Sequence, residues 1–397
     1  MNPEVLSHID RLTGDDLPAY VYDLHALREH VRAVRAALPE RAELLYAAKA
    51  NSDARLLRVL ADHVDGFEVA SGGELGHVRA LFPDIPIAFG GPGKTPAELA
   101  EAARLGVSRL HIESAHELRL LTTVLGDRSI DILLRVNLPL TPGPVALVMG
   151  GRPSPFGLEP AQLDGCLAVI ADDQRLRLRG LHVHLASGLH APGHLDLAED
   201  VLTWARDWAQ AHHIDLTEVN IGGGMGVDYA HPDQRFDWAA FGAGLHRLLS
   251  RHRNLTVRIE PGRSLTAYCG WYVTEVLDVK HSHGEAFAVL RGGTHHLRTP
   301  AAKQHNQPFR IIPVDTWPHP WPRPQARREP VTLVGQLCTP KDVLAHRVPV
   351  RQLRCGDRIA FAMAGAYAWN ISHHDFLMHP APAFRHLDKA PLTADVS

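Results

Sequence analysis

Lys49 closes the apolar run Leu44-Leu45-Tyr46-Ala47-Ala48 and is followed by Ala50-Asn51. An ammonium ion is costly to bury in such a place, so this lysine either snorkels to water or does chemistry. An amine whose pKa is lowered by desolvation at the end of a buried strand can form a Schiff base with a carbonyl compound. Other residues bear on that choice. Gly222-Gly223-Gly224 follows Asn220-Ile221, and its backbone N–H groups can approach a phosphate closely, although three glycines also make a simple flexible turn. Arg263 and Ser187 can add contacts to the same phosphate. Glu260 ends another apolar segment and needs a cation, which is either a neighbouring arginine (Arg258 or Arg263) or a protonated pyridine nitrogen that would then serve as an electron sink. His184 either stacks on a cofactor ring or is a core histidine satisfied by hydrogen bonds.

These residues need a frame to bring them together. From about residue 40 to 265, short β-type runs alternate with helical patterns, with strands expected at 44–48, 66–70, 85–89, 109–112, 130–136, 179–184, 218–221 and 256–260. Helical spacing marks 54–63, 96–106, 115–125, 160–171, 196–212 and 237–251. Eight strands with their helices predict an α/β fold, a (β/α)8 barrel, whose active site lies at the C-terminal strand ends. Lys49, Arg135, Asn137, His184, Gly222–Gly224 and Glu260 all fall there. After about residue 266 the pattern becomes β runs at 272–279, 286–290, 309–314, 331–335 and 358–362 without long helices, a β domain. The domain boundaries expected are therefore 1–30, an N-terminal segment whose strand at 19–24 pairs with the late β domain; 31–265, the barrel; and 266–397, the C-terminal β domain. The Pro-rich stretch 317–324 is expected to be a loop and the tail after about Leu387 to fray.

Composition narrows the partners. Charged residues make up 21% of the 397 and the net charge is -3, so there is no basic stripe for nucleic acid or an anionic membrane, and a small substrate is expected. The chain has no run of 18 apolar residues and no signal-like N-terminus, which reads as a cytoplasmic protein. The four cysteines show no CxxC spacing and the 27 histidines no metal-ligand spacing, so no metal is expected and any special cysteine is a reactive one.

Taken in order along the chain, these segments resemble the fold type III pyridoxal phosphate (PLP)-dependent decarboxylases, the group of diaminopimelate and ornithine decarboxylases. Tyr46–Asn51 is similar to their PLP-lysine motif, His184-Leu185-Ala186-Ser187-Gly188 to the stacking-histidine segment, Gly222–Gly224 to the phosphate loop, and Glu260-Pro261-Gly262-Arg263 to the motif whose glutamate meets the pyridine nitrogen. Gly335–Asp342 resembles the segment that places a cysteine in the partner subunit's site, and Gly365-Ala366-Tyr367 the one carrying a phosphate-binding tyrosine. The resemblance covers nearly the whole chain. It implies an alanine racemase-like architecture of a PLP-binding barrel plus a C-terminal β-sandwich or β-barrel domain, and a homodimer with shared sites. It also implies a Schiff base on Lys49, PLP contacts from His184, Ser187, Gly222–Gly224, Glu260, Gly262, Arg263 and Tyr367, and a proton donated by Cys338 of the partner subunit.

The departures speak to the substrate. Ornithine- and diaminopimelate-type members carry an acidic residue directly after the cysteine; here it is Thr339. Arg298 keeps the arginine of a diaminopimelate-type segment that here lacks its tyrosine. Several stretches, among them Phe89–Thr95 and Ile371–Leu377, are similar to the decarboxylases of staphyloferrin B-type siderophore pathways. That resemblance implies a carboxylate-rich substrate, citryl-L-2,3-diaminopropionate decarboxylated to citryl-diaminoethane, met by Arg135, Arg152, Arg298, Thr339, Asp342, His373 and His374. The alternatives are a diaminopimelate or other amino-acid decarboxylase of the same fold, or a non-catalytic PLP-binding regulatory homologue.

Overall fold

The computed structural model describes residues 1–140 and 147–388. The chain divides into two compact units, one of Glu29–Val227 with Arg235–Leu265 and the other of Met1–Arg28, Asp228–Gln234 and Thr266 onward. The segment Asp228–Gln234, which the sequence placed within the barrel, groups with the second of these.

The first unit is a closed barrel of eight parallel strands, Ala42–Ala47 (β1), Gly66–Val69 (β2), Ile87–Phe89 (β3), Arg109–Ile112 (β4), Ile130–Arg135 (β5), Leu176–His182 (β6), Glu218–Asn220 (β7) and Thr256–Ile259 (β8). Closure is made by β8 on β1, with Val257 opposite Ala42 and Ile259 opposite Leu44. Most strand residues are buried, which is why these segments read as short apolar runs rather than alternating ones. Side-chain caps start the helices between them. Asp53 accepts from the backbone N–H groups of Arg55 and Leu56, Ser71 from Glu74, Ser114 from Glu117, and Thr95 forms a capping box with Glu98. Each such cap stabilises its helix by about 1 kcal/mol and fixes where the preceding loop ends. Every strand therefore delivers its last residues to one rim at a defined point.

The second unit is a mixed sheet built on the long strand Gly270–Ser282, which pairs antiparallel with Ala19–Asp23, Glu285–Leu290 and Arg358–Phe361. Val5, Ile9, Leu12, Leu17, Val21, Val273, Ile312 and Ala360 form an apolar core beneath it. Two strands were not expected from sequence. Val343–Arg354 pairs with Gln325–Val334, and Ala383–Leu387 lies parallel to Ala19–Asp23. Stretch 317–324 forms no strand; the Trp317 indole donates to the Trp321 carbonyl across it. The expectation of a frayed tail falls on residues 389–397, outside the described residues.

Candidate active site

The turn Ala48–Ala50 that follows β1 carries Lys49 onto the barrel rim. Its side chain is 45% exposed, and its Nζ donates to both carboxylate oxygens of Glu68 at 2.9 and 2.7 Å. Glu68 is 5% exposed at its side chain; burial raises its pKa, with Lys49 opposing and Glu260 adding to the rise.

Across the barrel, the loop after β7 is pinned from several sides. The Gly222 amide donates to Asn220 Oδ1 (2.9 Å), the Gly222 carbonyl accepts from the Glu260 amide (2.9 Å), the Gly223 carbonyl meets His194 Nε2 (2.8 Å), and the Gly224 carbonyl accepts from Gly188 and Leu189. Gly222 and Gly224 have positive φ, and a Cβ at the three glycines would sit 2.2 to 2.4 Å from His184, the Glu260 carbonyl or the Ala186 carbonyl. The loop can thus present backbone and nothing else, which fits a phosphate cradle. His184 packs against Gly222; burial, then the charges of Arg135, His182 and Lys49, push its imidazole down to about 3, so it offers a neutral ring. Ser187 stands next to this loop, opposite Leu147 in a two-residue ribbon, and Gly262 and Arg263 follow Glu260 at the end of β8.

Glu260 is buried and accepts from Asn220 Nδ2 at 2.6 Å. Two residues that sequence reasoning missed, His111 and His182, bring their Nε2 atoms to 3.8 and 3.4 Å from its carboxylate and stack on each other at 4.4 Å between ring centres. Burial holds both imidazoles well below their ordinary pKa. His182 was visible as the residue two before His184, whereas nothing in the spacing marked His111.

Among the expected substrate contacts in this unit, Arg135 is already committed. It is buried, ion-paired with Glu113 at 2.7 Å and seated over the Phe156 ring. Arg152 is exposed, and its carbonyl accepts from Asn137.

In the other unit, Arg298, Thr339 and His373 line one cavity of about 880 Å³ together with Lys341, His305 and His346. Among the described residues no Asp or Glu lines it. Cys338 is exposed beside Thr339. Two expected contacts are corrected here. Asp342 is 2% exposed, and its two carboxylate oxygens accept from the Thr294 and Leu337 amides at 2.6 and 2.9 Å, so it ties two loops together rather than facing a ligand. His374 parts from His373 by stacking on Trp369 at 3.6 Å and bonding the Trp369 carbonyl. Tyr367 holds a left-handed backbone (φ 48°), its carbonyl accepting from Thr299.

Residues 24–267 match the family described as pyridoxal-dependent decarboxylase, pyridoxal binding domain. The chain belongs to the pyridoxal-dependent decarboxylases. It is 41% identical, over 96% of each chain, to 2-[(L-alanin-3-ylcarbamoyl)methyl]-2-hydroxybutanedioate decarboxylase of Staphylococcus aureus, and 32% identical, over 89% of this chain and 84% of the other, to diaminopimelate decarboxylase of Vibrio cholerae. A solved diaminopimelate decarboxylase from Helicobacter pylori complexed with L-lysine superimposes with a TM-score of 0.82 at 25% identity, covering 98% of this chain and 94% of that one. The side-chain-free glycine loop, the rim amine of Lys49 and the buried carboxylate of Glu260 suit the phosphate, aldehyde and ring nitrogen of PLP, the cofactor of this decarboxylase. Among the described residues no helix is long and apolar enough to cross a membrane.

Proposed function

We propose that this decarboxylase removes the α-carboxylate of citryl-L-2,3-diaminopropionate, leaving citryl-diaminoethane. The observation that carries this reading is the cavity lined by Thr339, next in sequence to Cys338, which holds Arg298, Lys341 and three histidines and, among the described residues, no acidic side chain. A basic distal amine finds no partner there, whereas carboxylates find several donors. The S. aureus relative supports the same reading, because its name spells a citryl unit amide-linked to diaminopropionate.

PLP, when bound, supplies the sink for the electron pair left on Cα as carbon dioxide departs. Lys49 Nζ would be the amine that holds the cofactor through its aldehyde carbon. Gly222–Gly224, Ser187, Gly262, Arg263 and Tyr367 would hold the phosphate, and the neutral ring of His184 would offer a stacking surface for the cofactor. Glu260 carries the negative charge that meets the ring nitrogen. The partner subunit's Cys338 donates its thiol proton to Cα, so one C–C bond breaks, one C–H bond forms, and water restores the thiol. This division requires a homodimer. Arg298, Thr339 and His373 face the citryl carboxylates.

Incubation of purified enzyme with PLP and the conjugate is expected to release one carbon dioxide per substrate by mass. Turnover of diaminopimelate in its place would overturn the substrate assignment. Cys338→Ala is expected to lower kcat by about 10² to 10³-fold, the scale of losing a general acid, while the cofactor absorbance persists.

A further inference from the structure

We infer that His182, assisted by His111, is a positioning residue that keeps the Glu260 carboxylate aimed at the cofactor's ring nitrogen. The inference rests on the cofactor reading and goes beyond it, to a pair of residues behind the ring partner. Both imidazoles are almost wholly buried, at 4% and 1% exposure, and among the described residues neither ring nitrogen of either has a hydrogen-bond partner. Buried polar atoms are rarely left so. Both rings come within 4 Å of the same carboxylate, with His182 Nε2 3.4 Å from Oε2 and His111 Nε2 3.8 Å from Oε1. A histidine placed there only to fill the core would have no reason to turn its polar edge toward Glu260.

Three features make the arrangement specific. Asn220 Nδ2 fixes Oε1 at 2.6 Å, so the carboxylate is already held at one oxygen and needs a hold on the other. The two stacked rings brace each other and keep their Nε2 edges on one side. The surroundings are rich in cations, with Lys49, Lys94 and Arg135 all acting against protonation of His182, while Glu68 pairs with Lys49, Glu113 with Arg135 and Glu117 with Lys94. His182 therefore stays a neutral donor. A charged imidazole would compete with the cofactor for Glu260; a neutral one orients the carboxylate and leaves its charge for the ring nitrogen.

The test uses apo-protein reconstituted with PLP, reading the dissociation constant and the pH response of the visible absorbance band. His182→Phe keeps the ring volume and removes the nitrogens. It is expected to weaken PLP about tenfold, the scale of losing a hydrogen bond to a charged group, and to move the pH response of the band. His182→Gln, with an amide near the Nε2 position, is expected to restore both, and the shorter His182→Asn is not. In a Glu260→Gln background, His182→Phe is expected to add nothing. If His182→Phe does not fold, the Gln and Asn pair decides alone. Equal PLP affinity and equal pH response in Asn, Gln and wild-type proteins would overturn the inference, as would full additivity with Glu260→Gln. Absence of any bound-cofactor band in the wild type would overturn the cofactor reading as well.

Discussion

The two ends of the barrel handle buried charge in opposite ways. At the N-terminal end, Glu218 of β7 takes Arg109 of β4 and Arg258 of β8, Arg258 also reaches Glu43 of β1, and Asp131 of β5 collects Arg109, Arg177 and Arg179. Burial works against ionisation of Asp131, yet Arg179 and Arg177 hold its carboxyl below the ordinary value. Each of these charges is answered from within. At the C-terminal end, Lys49, Lys94 and Arg135 are likewise paired, but Glu260 meets only an amide and two neutral imidazoles among the described residues, with no Lys or Arg. A fold that closes its charges at one end and leaves one open at the other has separated what stabilises it from what binds.

The strongest way to break this contrast is at the open end. Lys49→Ala is expected to lower decarboxylation by about 10³-fold or more, the scale of losing a catalytic group, and to abolish the absorbance that borohydride removes, while thermal unfolding falls less than in Glu218→Ala because Lys49 is half exposed and burial already favours a protonated Glu68. Glu218→Ala should do the reverse. It leaves Arg109 and Arg258 with an uncompensated charge, so unfolding in denaturant is expected to show a loss of about 3 to 5 kcal/mol, with kcat per folded molecule unchanged. A fall in kcat without a fall in stability would erase the distinction between the ends.

A finer probe is pH. His111 and His182 have pKa values depressed on folding from an ordinary 6.5, so they are neutral in the native chain while the unfolded chain takes up protons below that value. Their share of stability is fully present above about 6.5 and is lost as pH falls toward their folded values, by at most about 1.4 kcal/mol per pH unit for each. The unfolding midpoint is expected to drop between about pH 6.5 and 5, and His182→Phe to flatten that slope. Smallest is Asp53→Ala, which removes the cap of the helix behind Lys49 and is expected to cost about 1 kcal/mol in unfolding without altering the absorbance of the bound cofactor.

Much of this was legible in the chain. The barrel strands could be placed because runs such as Leu44–Ala47 and Ile87–Phe89 are apolar, short and flanked by capped helices, and their last residues give most of the rim. Val343–Arg354 escaped because Arg347, Pro349 and Arg351 break its apolar pattern, as a strand with solvent on one side allows. Lys49 stood out as a lone cation after an apolar strand, but its pairing with Glu68 was not legible, since one helical turn after β1 is what lifts it there. His111 lies 71 positions from His182, and only closure of the barrel stacks them. Asp342 entered as a substrate contact only through the resemblance of its segment to the family; its two oxygens accept from backbone amides.

That last residue has a wider consequence. Asp342 fastens Thr294, four positions before Arg298, and Leu337, directly before Cys338, and Gly293 and Gly335 crowd its carboxylate too closely for any side chain. In the proposed reading, Arg298, which would meet the substrate, and Cys338, which would supply the proton, are therefore rooted in one anchor. Changing Thr339 or Lys341 would leave both bonds of Asp342 in place, so under that reading the contacts to a substrate can be altered without moving the thiol.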